Sequence, residues 1–308
     1  NVWKGERSML TGIHVAFIGG DARQLEVIKC CIQLDATVTL IGFDNLESNF
    51  TGATKKPLTC DVLKDADALI LPIVGTDDNG FVESIFCSKQ LQLKQEHVAC
   101  LKKHCVVYTG MAKPYLRNLL SAEQIELVEL LERDDVAIYN SIPTVEGALM
   151  LAIQNTDITI HGSQSIVLGF GRTGLSMARV LHALGARVRV GARRQEHLAR
   201  IYEMGMTPFH ISDIRNQVTN ADFVFNTIPS LVLTAEVIAQ MPQTAFILDL
   251  ASKPGGTDFR YAEKRGIKAL LAPGLPGIVA PKTAGQILAK TLSRLIAEQT
   301  ISRGNQHG

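Results

Sequence analysis

The stretch Ser165–Arg194, SIVLGFGRTGLSMARVLHALGARVRVGARR, constrains the fold of this chain more than any other. A strand-forming run, Ile166-Val167-Leu168, meets three closely spaced glycines, then an amphipathic pattern that stops at Gly185 before a second strand-forming run. Strand, glycine turn, helix, strand is the order of a βαβ unit, and such units build parallel sheets. The glycines stand in G-x-G-x-x-G spacing, and each has a physical task. Gly169 permits the tight turn, Gly171 lets the backbone approach a pyrophosphate, and Gly174 lets the helix sit close to its strand. The first N–H groups of the helix then face the phosphates. A dinucleotide site is therefore predicted at Gly169, Phe170, Gly171, Arg172, Thr173 and Gly174.

The end of the unit bears on which dinucleotide. Sites that take NAD usually place Asp or Glu after the second strand, against the ribose 2′-hydroxyl. Here Arg187–Val190 runs into Gly191-Ala192-Arg193-Arg194, with two guanidiniums suited to a 2′-phosphate and no carboxylate at that point. NADP is the cofactor expected, bound through Ala192, Arg193 and Arg194.

Ile13–Phe43 repeats the pattern with a difference. When Gly19 is set against Gly169, Asp21 falls where Gly171 stands and Gln24 where Gly174 stands. A carboxylate at the pyrophosphate position opposes a dinucleotide, so this copy is expected to bind something else, with Arg23 available to a carboxylate. Further strands are expected at 68–74 and 105–108, with a helix over 121–133. Ser141 or Thr144 would cap a helix starting near Pro143, its N-terminus open to an anion. Later strands, 209–212, 221–229, 245–250 and 268–271, complete a second parallel sheet. Their turns at Asn226, Thr227, Ile228 and Pro229, at Ala251, and in the 272–285 loop with Gly274, belong on the cofactor edge. A final amphipathic helix is expected after Gly285.

The fold class expected is α/β: two Rossmann-like parallel-sheet domains with an interdomain cleft, linked by two crossing helices. Residues 9–140 with 285–308 form the substrate-side domain, and 141–284 the NADP-binding domain with the linker helix. A net charge of +1 and the lack of a basic stripe with interleaved aromatics argue against nucleic acid as partner. The apolar runs look too short for a bilayer, and NVWKGERS ahead of Met9 lacks a signal-peptide pattern and reads as an extension. All six cysteines lie in the first 105 residues without C-x-x-C or metal spacing, so free thiols, no metal and a cytoplasmic setting are expected.

ERDDVAIYNSIPTVEGALMLAIQ, ITIHGSQSIVLGFGRTG, LDLASKPGGTDF and LLAPGLPGIVAPKTAGQIL together resemble the family of dipicolinate synthase A-subunits, over the chain from Met9 to near its end. The resemblance implies NADP-linked formation of dipicolinate from dihydrodipicolinate, itself derived from 4-hydroxy-tetrahydrodipicolinate. It also implies a mother-cell setting in sporulation and, as partner, the smaller, flavoprotein-like dipicolinate synthase B-subunit. Pro273–Thr283 is similar in part to the nicotinamide-side loop of methylenetetrahydrofolate dehydrogenases, and the helix layout to alanine dehydrogenase and adenosylhomocysteinase. For a dicarboxylate substrate, predicted position nominates Arg23, Ser141, Thr144 and Lys282 as binding residues and Asp21 and Glu146 as proton acceptors. Rival readings are another NADP-dependent oxo- or amino-acid dehydrogenase, and a cofactor-binding scaffold for a catalytic partner. A homo-oligomer fits either.

Overall fold

The structure, a computed structural model, describes residues 9–47 and 50–304. The 1–8 extension lies outside the described residues. The chain forms two units, Asn1–Val136 with Pro281–Gly308, and Ala137–Ala280.

In the first unit the strands are β1 His14–Ile18, β2 Thr37–Ile41, β3 Ala53–Lys55, β4 Ala68–Ile70, β5 Phe81–Val82, β6 Leu91–Gln92, β7 Val106–Thr109 and β8 Glu126–Glu129. Six of them form a sheet in the order β3-β2-β1-β4-β7-β8, parallel throughout, while β5 and β6 make a separate antiparallel pair. In the second unit, β9 Gln164–Leu168, β10 Arg187–Ala192, β11 Thr207–His210, β12 Phe223–Asn226, β13 Phe246–Asp249 and β14 Lys268–Leu271 follow. They form a parallel sheet in the order β11-β10-β9-β12-β13-β14. Both orders reverse direction beside the first strand of the unit, which opens a crevice at the carboxyl edge there.

Alternate residues of a strand face opposite sides. In the second unit Val167, Phe223, Phe225, Phe246 and Leu248 enter one core, while Ile166, Leu168, Val224 and Ile247 enter the other. Both faces of the sheet are thus covered, the usual condition of a parallel sheet. Each fully buried large apolar side chain contributes about 1.5–3 kcal/mol relative to exposure. In the first unit the returning helix, Pro281–Gly304, crosses the Ala22–Gln33 helix closely. A Cβ on Gly285 would stand 2.5 Å from the Arg23 carbonyl oxygen.

Three local expectations are overturned. The helix expected over 121–133 is instead a helix Pro114–Ala122, strand β8 and a 3-10 turn Leu130–Glu132. Gln124 takes a left-handed φ of 55°, which ends the helix and delivers Glu126–Glu129 to the edge of β7. The linker helix starts not at Ser141 or Thr144 but at Asp134, and runs to Asn155 with Pro143 inside it. Proline in a helix interior costs about 3 kcal/mol, which is why local rules place a start there. Burial of Val145, Ala148 and Ala152 in the core overrides that preference. An 18-residue window of this helix has mean hydropathy 1.4, long and apolar enough by length and composition alone to cross a bilayer, but the helix gives Val145, Ala148 and Ala152 to the protein core. The final helix likewise begins earlier than Gly285, at Pro281, after a short helix Leu275–Val279.

The six cysteines are not all free thiols. Cys60 and Cys100 form a disulfide across 40 residues, with Cα atoms 5.6 Å apart. Cys30, Cys31 and Cys105 are buried and outside any disulfide, and burial pushes the Cys31 thiol above its ordinary pKa. Sequence separation hid the bonded pair, because only folding brings the short helices Cys60–Leu63 and Gln95–Val98 together.

Candidate dinucleotide site

The turn after β9 is built as the spacing predicts. Gly169 has φ +95°, and a Cβ there would meet Thr227 Oγ1 at 2.4 Å. A Cβ on Gly174 would lie 2.1 Å from the Gly169 carbonyl oxygen, so the Arg172–Ala183 helix sits against its strand only because that position is bare. Gly171 differs from both. Its φ of −87° suits any residue, and a Cβ there meets nothing within 4 Å. Neither backbone strain nor protein packing asks for glycine at 171. Open space at the start of a helix whose N-cap makes no side-chain bond is what an approaching pyrophosphate needs. The residues therefore fit a bound dinucleotide.

The corresponding turn of the first unit is closed. Gly20 N–H donates to the Glu83 carbonyl at 2.9 Å, and Ile85 N–H to the Gly20 carbonyl at 3.1 Å. A Cβ on Gly19 would meet the Glu83 oxygen at 2.5 Å. The chain's own 83–85 segment packs against this turn, unlike the open space at Gly171.

Around Gly169 the neighbouring strand ends are held firmly. Thr227 donates to the Leu168 carbonyl at 2.8 Å. Asn226, wholly buried, accepts from Ile228 N–H at 3.0 Å and donates to the Ile228 carbonyl at 2.9 Å. Asp249, also wholly buried, accepts from Ala251 N–H at 3.0 Å, Gly256 N–H at 2.8 Å and the Thr257 hydroxyl at 2.6 Å. A buried carboxylate is costly unless such donors satisfy it, so this one fixes the 250–257 loop. Gly274 has φ +70° at the head of the Leu275–Val279 helix. Phe170 is a core residue, edge-on to His197 with ring centroids 5.7 Å apart, and Ala192 is buried beside it in the same core. Arg193 is exposed and has no bonded partner among the described residues, whereas Arg194 pairs with Glu196.

A family model for the N-terminal domain of the dipicolinate synthase A-subunit matches residues 14–131. One for the C-terminal domain of alanine dehydrogenase/PNT matches residues 136–306. The dipicolinate synthase A-subunit of Bacillus subtilis (strain 168) is 54% identical over 296 residues, 96% of this chain and 100% of the relative. The chain belongs to the family of dipicolinate synthase A-subunits. The crystal structure of the Bacillus halodurans member is 56% identical, with a TM-score of 0.92 over 94% of this chain and 99% of the other. A transhydrogenase from Sinorhizobium meliloti, 16% identical, shares the fold with a TM-score of 0.64 over 92% of this chain and 93% of its own. Family membership and the alanine dehydrogenase/PNT domain together mark an oxidoreductase with a nicotinamide-type cofactor.

The substrate candidates fare differently from the glycine turn. Asp21 caps the Ala22–Gln33 helix, accepting from Arg23 N–H at 2.9 Å, and its carboxylate pairs with the Arg23 guanidinium at 2.5 Å. Burial opposes ionisation of Asp21, but the hydrogen bonds and charge of Arg23 outweigh it and hold the carboxyl below its usual range. Asp21 is therefore a poor proton acceptor, and Arg23 is already neutralised. Ser141 is buried within its helix, where it bonds the Ile138 carbonyl at 2.6 Å and the Ser176 hydroxyl at 2.7 Å. Thr144 turns back to the Asn140 carbonyl at 2.7 Å. Glu146 is exposed in the middle of the Asp134–Asn155 helix, not in its first turn. Lys282 lies on the first turn of the Pro281–Gly304 helix, one turn from the glycine that packs on Arg23. The 249–256 turn reads in sequence as a strand-end loop on the cofactor edge, with Ala251 singled out; the structure adds that Asp249 anchors that loop from beneath.

Proposed function

We propose that the chain oxidises dihydrodipicolinate to dipicolinate with NADP as hydride acceptor, acting with a dipicolinate synthase B-subunit, in the cytoplasm of a sporulating mother cell. The observation that carries the cofactor half is Gly171, a glycine that nothing in the protein itself requires. Membership of the family carries the substrate half. The dinucleotide supplies the hydride acceptor, so the protein's work is binding and orientation.

In this reading Gly169, Gly171 and the first N–H groups of the Arg172–Ala183 helix hold the pyrophosphate. Arg193, with no competing partner, takes the 2′-phosphate, and Arg194 joins it only by giving up Glu196. Asn226–Pro229, Ala251 and Gly274 support the nicotinamide end. The first unit serves the substrate side, where Lys282 is the free cation among the residues nominated there. With Asp21 held ionised by Arg23, the proton released on aromatisation passes to solvent.

The test is dipicolinate formation by the full chain together with the B-subunit, followed at the absorbance of reduced nicotinamide and of dipicolinate, with NADP and NAD compared. No product with either dinucleotide sinks the reading; product with NAD alone removes NADP.

A further inference from the structure

A dinucleotide lies across a sheet of this order with its adenosine half over one set of strands and its nicotinamide half over the other. Arg193 follows β10 and so belongs to the adenosine half. The nicotinamide half is bordered by the loops after β12, β13 and β14, at 227–231, 250–258 and 272–274. These loops carry one cation, Lys253, and one carboxylate, Asp258, which is spent capping the next helix through Tyr261 N–H at 3.0 Å. Lys253 is exposed and has no hydrogen-bond or ion-pair partner among the described residues.

The loop that carries it is stiff. Asp249 binds it from beneath through Ala251, Gly256 and Thr257. Gly255 N–H donates to the Ser252 carbonyl at 2.8 Å, and the Gly256 carbonyl accepts from Val232 and Leu233 at 3.0 and 2.9 Å. A Cβ on Gly255 would stand 2.9 Å from Asp249 Oδ2, and one on Gly256 would stand 2.4 Å from the Ile228 carbonyl oxygen. The 250–257 loop is thus locked to the turn after β12. A cation displayed on such a platform binds an anion with little ordering cost. Of the two cations nominated for the substrate in the first unit, Arg23 is neutralised by Asp21, while Lys282 is exposed.

We infer that Lys253 binds a carboxylate of the substrate beside the nicotinamide, as the point charge that selects a pyridine dicarboxylate there. This rests on the function proposed above and adds to it a residue of the cofactor-binding unit. Because Lys253 is exposed and unpaired, its replacement leaves the fold intact.

The test is calorimetric titration of the full chain with dipicolinate in metal-free buffer containing saturating NADP, beside a separate titration with NADP. Lys253→Met should weaken dipicolinate binding at least tenfold and change NADP affinity less than twofold, while Lys253→Arg should stay within a few-fold of the parent. Dipicolinate bound equally by K253M overturns the inference, as does a parallel loss of NADP, which would assign the lysine to the dinucleotide. If the parent chain binds NADP but no dipicolinate, the proposed substrate fails and this inference falls with it. A parent that binds dipicolinate, with only K253M unaffected, removes Lys253 alone.

Discussion

Asn226 and Asp249 are register partners on adjacent parallel strands, and each turns its buried side chain onto the loop that follows its own strand. Gly256 joins the two systems, donating to Asp249 and lying so close that a Cβ would meet Asn226 Nδ2 at 2.7 Å. Asp249→Asn keeps one acceptor oxygen and turns the other into an N–H donor, which then faces Ala251 N–H on the Oδ1 side or Gly256 N–H on the Oδ2 side. It should lower stability by about 1–3 kcal/mol, read from denaturant midpoints at unchanged slope. Dinucleotide affinity should fall as well. A variant as stable as the parent removes the carboxylate from this role.

Gly171 and Gly174 should separate binding from folding. Gly174→Ala forces a Cβ onto backbone 2.1 Å away and should cost roughly 1–3 kcal/mol or more by overpacking. Gly171→Ala meets no protein atom and should change stability by less than about 1 kcal/mol while lowering dinucleotide affinity at least tenfold. Thermal melts with and without dinucleotide distinguish them: G174A melts low in both, and G171A loses only the ligand-induced rise.

Arg193→Ala should weaken NADP binding roughly tenfold and leave NAD binding nearly unchanged, because one charge-assisted hydrogen bond is worth about 1.5–3 kcal/mol. Arg194→Ala should do less, since Arg194 already pairs with Glu196. Glu196→Gln should raise NADP affinity by releasing that arginine. Equal affinities across the three variants would place the 2′-phosphate elsewhere.

Acid should weaken the first unit through Asp67. Asp67 accepts from His14 N–H at 2.9 Å, His104 at 2.9 Å and Lys102 at 3.3 Å. Burial opposes its ionisation, yet these donors hold its carboxyl below the usual range, as Arg23 does for Asp21. A carboxyl depressed in the folded state stabilises above its unfolded pKa, and that contribution disappears as pH falls through the folded value. Asp67→Asn should therefore be less stable at neutral pH by about 1–3 kcal/mol and lose less of its stability between pH ~5 and ~2. An acid limb parallel to that of the parent would overturn this.

Two parallel-sheet α/β units and the glycine turn after β9 are legible in the sequence. Hydrophobic runs of strand length, glycine spacing and helix periodicity are local properties that no distant contact has to supply. The sequence alone could not reveal which turns stay open. That the Gly19-Gly20 turn is covered by residues 83–85 while Gly171 borders open space depends on a segment far downstream in the chain. Nor could the sequence reveal which of the candidate substrate residues are engaged within the protein. Ser141 and Thr144 read as caps because Pro143 forbids little locally at a helix start, but core burial of Val145, Ala148 and Ala152 extends the helix back to Asp134. Asp21 and Arg23 read as two free groups until folding made them one ion pair. Tertiary structure alone decided which charges are spent within the protein, because pairing and burial are set by neighbours that a linear pattern does not name.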